Sequence, residues 1–115
     1  MKKLFISCPM NGRTEEAIKK SMELMHKEAE RIFGKELEVI PTYIEEDPPK
    51  EILGKTNIHS RRIWYLGKSI ELLAKADYFI GVSDSARFES CNFEKTIAEQ
   101  YGIKIAVLDI ADVLF

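Results

Sequence analysis

Glu94 closes the run Ser90-Cys91-Asn92-Phe93-Glu94, between the apolar stretch Tyr78–Val82 and a helical pattern that ends at Tyr101-Gly102. A carboxylate at a strand-to-helix junction has two uses: it faces a cleft as a nucleophile or anion, or it complements the positive end of a helix. The other polar stretch that can do chemistry is Ser7-Cys8-Pro9-Met10-Asn11-Gly12-Arg13-Thr14. It leads into a helix, so free N–H groups with Arg13 beside them can hold a phosphate or carboxylate, or can simply form a turn and cap. Asp84 and Arg87 are either cleft residues or a solvated loop pair. Cys91 has nothing basic beside it in sequence and suits a small buried thiol. His26 and His59 are isolated and receive no role. Trp64-Tyr65 suits packing, although aromatic rings at a crevice also stack on bases.

Cys8 followed by Arg13-Thr14 resembles the phosphate loop of low-molecular-weight tyrosine phosphatases, with Asp47-Pro48 as a general acid, but the spacing fails. That loop needs five residues between Cys and Arg; Pro9, Met10, Asn11 and Gly12 supply four, and Pro9 has no N–H. A receiver domain needs an acidic cluster by the first strand, which Ser7-Cys8 does not provide. A flavodoxin-type flavin loop needs a density of hydroxyls that is missing here.

The elements that must position these residues alternate. Leu4-Phe5-Ile6 reads as a buried strand feeding a turn. Over residues 14–33, Ile18, Met22, Met25, Ala29 and Ile32 mark one helical face, with Thr14 as cap and Gly34 as stop. Leu37, Val39 and Ile40 form a second strand, stopped by Pro41. A long loop to about Ser60 follows, carrying Pro48-Pro49 and Gly54 and room for one helical turn. Ile63, Leu66, Ile70, Leu73 and Ala76 mark another helix, which runs into the strand Tyr78-Phe79-Ile80-Gly81-Val82. Phe93, Ile97, Ala98 and Tyr101 mark a shorter helix closed by Gly102, and residues 103–108 a fourth strand. Residues 111–115 suit a last helical turn or an edge segment.

Strands apolar on both faces predict a three-layer α/β fold, flavodoxin- or Rossmann-like, with an open parallel sheet of four to five strands in the order 2-1-3-4. In such a sheet the ligand crevice lies beyond the strand carboxyl ends where the order reverses, between loops 7–13 and 83–92. The 115 residues suit one domain, 1–115, and 45% hydrophobic with 31% charged residues is ordinary for a globular chain. A net charge of -2 gives no electrostatic case for a nucleic-acid polymer. Two cysteines far apart, with no Cys/His ligand pattern, point to reduced thiols in a cytoplasm rather than to zinc or disulfides. The apolar run after Met1-Lys2-Lys3 is too short for a signal peptide or a membrane span, so no targeting segment is expected.

Three pieces together resemble the nucleoside 2-deoxyribosyltransferase superfamily, which includes the 2-deoxynucleoside 5-phosphate N-hydrolases. They are Phe5-Ile6-Ser7-Cys8-Pro9-Met10-Asn11-Gly12, then residues 70–82 with Ala76-Asp77 before the strand, then Cys91-Asn92-Phe93-Glu94 through Ala98 to Tyr101-Gly102-Ile103. The resemblance spans most of the chain, leaving the long loop unmatched. It implies that Glu94, opening the helix after the third strand, attacks an anomeric carbon to form a glycosyl-enzyme. It implies that Ser7, Cys8, Met10, Asn11, Gly12 and Arg13 bind sugar hydroxyls or a phosphate, with Ser69, Asp84, Cys91 and Asn92 also at the substrate. Two positions depart from the family pattern: Phe5 stands where a tyrosine is usual, and Ser69, eight residues before Asp77, stands where an aspartate assists the leaving base. Glu71 does not replace it, since two residues along a helix turn the side chain about 200°.

The resemblance implies a small-molecule nucleoside or nucleotide as partner, and no cofactor, metal or membrane is expected. It also implies a homo-oligomer, for which residues around Met22–Met25 or Trp64-Tyr65 either supply the interface or, as their helical spacing equally allows, belong to the core. The alternatives are a non-catalytic nucleotide-binding module that keeps the crevice and has lost the chemistry, and an α/β domain whose oligomer surface matters more than its cleft.

Overall fold

Two apolar faces of one sheet organise the chain, and Leu4-Phe5-Ile6 belongs to both. Side chains alternate along a strand, so Leu4 and Ile6 enter one core while Phe5 enters the other, all three buried. The computed structural model describes every residue except Tyr43, Glu45, Thr56, Asn57 and Phe115, and for Ile58 only the backbone. The strands are β1 (Lys2–Ile6), β2 (Leu37–Val39), β3 (Tyr78–Val82) and β4 (Lys104–Leu108), all parallel and ordered β2-β1-β3-β4. Of the four to five strands expected, four are present among the described residues. Ile40 extends the second pairing through its N–H to the Leu4 carbonyl at 2.9 Å.

Helix α1 (Glu15–Phe33) covers one face together with the short α5 (Ile110–Val113), which supplies the last-turn reading of the chain end apart from Phe115, outside the described residues. Thr14 Oγ1 accepts from the Ala17 N–H and Gly34 closes the helix at φ 69°, as the capping pattern predicts. Helices α3 (Ile58–Leu73) and α4 (Glu89–Gln100) cover the other face through Ile70, Leu73, Ile97 and Ala98. The described part of the long loop holds the one-turn α2 (Lys50–Leu53); Tyr43, Glu45, Thr56 and Asn57 of that loop lie outside the described residues. No helix among the described residues is long and apolar enough to cross a membrane.

The apolar stripes are less regular than the sequence period. Ile32, Ile63, Phe93 and Tyr101 are exposed, while Ser21, Cys91 and Glu94 take buried helical positions. Ala76 lies beyond the end of α3. Met25 is fully buried and Met22 is partly buried against the same core, which is the core alternative for that pair. Ser21 tolerates burial because its hydroxyl donates to the Val113 carbonyl at 2.7 Å.

Beneath α3 and α4 the rings of Phe5 and Phe79, opposite each other in the β1–β3 register, stack at 5.8 Å with planes 5° apart. Phe79 reaches over Gly81, two residues on and therefore on the same face. A Cβ at Gly81 would sit 2.8 Å from the Phe79 ring, which is itself fully buried. Gly81→Ala is therefore expected to cost about 1–3 kcal/mol by overpacking, measured as a lowered urea midpoint at unchanged m-value.

Candidate functional site

Ser7 is the first residue past β1, and its N–H donates to the Ile80 carbonyl at 2.9 Å, carrying the β1–β3 pairing one step beyond the strand. Two residues after Phe5, its side chain points to the same face, toward α3 and α4. Ser69 lies on α3 one turn before Leu73, which anchors that helix to the core. Glu94 lies on α4 with Cys91 and Ala98 as its buried neighbours, a spacing of three and four residues that defines one helical face.

These three residues meet. The Ser7 hydroxyl donates to Glu94 Oε1 at 2.7 Å, and the Ser69 hydroxyl donates to Glu94 Oε2 in a short hydrogen bond. Each carboxylate oxygen thus receives one proton donor from a different element, in a setting where Glu94 is only 7% exposed. Burial pushes the Glu94 carboxyl above its ordinary range, and the Ser69 and Ser7 hydroxyls pull the other way by solvating the ionised form. With two of about four lone-pair positions occupied, the carboxylate keeps capacity for an incoming group.

Helix α4 starts at Glu89, so Glu94 does not open the helix and is not its dipole partner. Glu89 occupies that first turn instead. The early start was hidden because Phe88 caps the helix without a side-chain hydrogen bond and Ser90-Cys91-Asn92 shows no apolar period.

The remaining predicted positions separate into groups. Cys91 is buried beside Ser7, Glu94 and Cys8, and burial, with Glu94 and Cys8 adding to it, pushes its thiol up to about 12. Cys8 is likewise raised by burial, against the opposing pull of Arg13. Both thiols are protonated at neutral pH and free of disulfides. Met10, Asn11 and Gly12 form an exposed turn, with Gly12 at φ 75° and the Arg13 N–H bonded to the Met10 carbonyl. Asp84 is exposed in a left-handed conformation at φ 52°, before a 3-10 turn at Ser85–Arg87, and Asn92 is exposed on α4. Arg13 turns into the fold: its guanidinium donates to the Pro9 carbonyl at 2.7 Å, to Ser21 Oγ at 2.6 Å and to the Ala17 carbonyl at 3.3 Å, with Cys8 Sγ at 4.0 Å.

The resemblance groups Ser7 and Ser69, 87 and 25 residues from Glu94, in one site with it, but gives no sign that both hydroxyls bond its carboxylate. Phe5 lies in the stacked core beneath them. Among the described residues no group of three or more His, Cys, Asp and Glu side chains is placed to hold a metal. Comparison with protein-family profiles, with curated proteins and with solved structures finds no match to this chain.

Two outcomes are expected. Arg13→Ala lowers stability by about 1.5–3 kcal/mol through lost charge-assisted hydrogen bonds, and Arg13→Lys recovers little of it because the fork geometry is lost; chemical denaturation measures both. Because Glu94 is raised above its ordinary value near 4.5, the native state holds a proton the unfolded chain has released, so stability falls as pH rises through that window. Glu94→Gln removes this slope. Its advantage in urea midpoint over the wild type grows from acid toward neutral pH, and a difference that is flat with pH refutes the assignment.

Proposed function

We propose that this chain cleaves or transfers at the N-glycosidic bond of a nucleoside or nucleotide, with Glu94 as nucleophile. The observation that carries the reading is the buried Glu94 carboxylate with one serine hydroxyl on each oxygen, that of Ser7 coming from the carboxyl end of β1, where the strand order reverses. The resemblance in the β1 loop and in α4 supplies the reaction class.

Attack of a Glu94 oxygen on the anomeric carbon passes through an oxocarbenium-like state, and the resulting ester is released to water or to another base. Ser7 and Ser69 fix both carboxylate oxygens in advance, so little rotational freedom is lost at the moment of attack. The exposed N–H groups of Asn11 and Gly12 suit sugar hydroxyls or a 5-phosphate. Buried free thiols suit a reducing compartment, and a cytoplasmic location is part of the proposal. So is a homo-oligomer, for which the exposed Ile63, Tyr65 and Phe93 offer apolar surface.

One observation favours a second reading, a nucleotide-binding module without chemistry. Both Glu94 oxygens already have donors within the chain, and neither Phe5 nor Ser69 brings the hydroxyl or acid of the family pattern.

A panel of ribo- and deoxyribonucleosides and their 5-monophosphates, with free base followed by chromatography, separates the two. Catalysis predicts base release that falls by about 10³-fold or more in Glu94→Ala. It also predicts an acid limb of kcat/KM above the ordinary carboxylate range, moved further up by Ser69→Ala. The binding module predicts affinity that survives Glu94→Gln with no base released.

A further inference from the structure

Resting on the glycosyl-transfer reading above, we propose that the site takes N-glycosides whose base carries a fixed positive charge and departs as a neutral heterocycle, such as a pyridinium or an N-alkylated purine.

Two independent features point there. The first is where the protons are. When the bond between the anomeric carbon and nitrogen breaks, the electron pair stays on nitrogen, so a neutral base needs a proton from the site while a cationic base needs none. The hydroxyl protons nearest the reacting carboxylate belong to Ser7 and Ser69, and both are committed to Glu94 itself. The Cys91 thiol, pushed up to about 12, is a poor donor. Three other carboxylates are ion-paired: Glu71 and Glu46 with the half-buried Lys68, and Glu89 with the exposed Arg62. A missing general acid costs about 10²- to 10⁴-fold for a neutral leaving group. It costs nothing for a group that leaves by losing its charge.

The second feature is charge. Glu94 is buried and its partners are neutral hydroxyls, so its negative charge is hydrogen-bonded but not balanced. The cation of the β1 loop, Arg13, is turned toward Pro9, Ala17 and Ser21 on the other face of the sheet. A positive heterocycle entering the crevice supplies the missing charge and favours the ionised carboxylate needed for attack.

The chemistry balances without an outside acid. A Glu94 oxygen forms a bond to the anomeric carbon as the bond to the cationic nitrogen breaks, and the base leaves neutral. Water then cleaves the ester, regenerating the carboxylate and releasing one proton.

The test compares matched pairs on the full chain: 7-methylguanosine against guanosine, and nicotinamide riboside against its neutral dihydropyridine form. Each is used as riboside and 2-deoxyriboside, with Glu94→Gln subtracting spontaneous hydrolysis. The expected result is a Glu94-dependent kcat/KM at least about 10²-fold higher for the cation in one or both pairs, with Ser69→Asp narrowing the ratio by giving the neutral member an acid. The pair that responds identifies the source of the cation. Equal turnover of charged and neutral members, or release from neutral members alone, overturns the charge requirement and leaves Glu94 as nucleophile standing. Glu94-dependent release from none of these, together with none from the earlier nucleoside panel, overturns both.

Discussion

A carboxylate taken out of water has to be solvated by something else, and in this chain two serine hydroxyls from two different elements do it. Much of the architecture serves that meeting. Ser7 reaches Glu94 because β1 pairs with β3 in a register that continues one residue past the strand. Ser69 reaches it because Leu73 and Ile70 seat α3 on the same sheet face that Ala98 and Ile97 give to α4. Losing either hydroxyl leaves a buried carboxylate oxygen without its donor, at roughly 1–3 kcal/mol or more for a charged group. The stacked Phe5 and Phe79 rings set the floor, and Gly81 leaves room for one of them.

The same burial sets stability against reactivity. An apolar group of similar shape at position 94 would suit the α3–α4 side of the sheet better than a carboxylate does, since that core is otherwise Phe, Leu, Ile and Ala. The opposite face of the sheet shows what a purely structural polar cluster looks like. There Arg13, Ser21 and the Val113 carbonyl close a chain of hydrogen bonds that ties the β1 loop through α1 to α5, with both Nη atoms of Arg13 and the Ser21 hydroxyl directed at protein acceptors. Glu94 differs because its partners donate to it and no cation completes the set among its contacts.

Most of the framework could be read from the chain itself. Short apolar runs at residues 4–6, 37–40, 78–82 and 103–108 mark the strands, and the order 2-1-3-4 is the flavodoxin-like one, which the sheet has. Thr14 and Gly34 marked both ends of α1 because capping chemistry is local. Long-range hydrogen bonding was not visible. The α4 period runs through Phe93 and Tyr101, yet Tyr101 is 81% exposed while Glu94 is buried. A period count ranks residues by hydrophobicity, and it cannot anticipate that two hydroxyls will make a carboxylate a tolerable core residue. For the same reason Ile63 fits the apolar period of α3 and yet is exposed.

Position 69 is where these considerations converge. A carboxylate there would lie within hydrogen-bonding reach of Glu94 Oε2, and two carboxylates at that distance cannot both ionise; they share a proton and titrate as a pair. A serine keeps the hydrogen bond and removes the competition. Glu94 then titrates against burial and two hydroxyls alone, with no second acid among its described contacts. With serine there, the charge on Glu94 is set by burial, which raises its carboxyl, against the two hydroxyls that stabilise the ionised form.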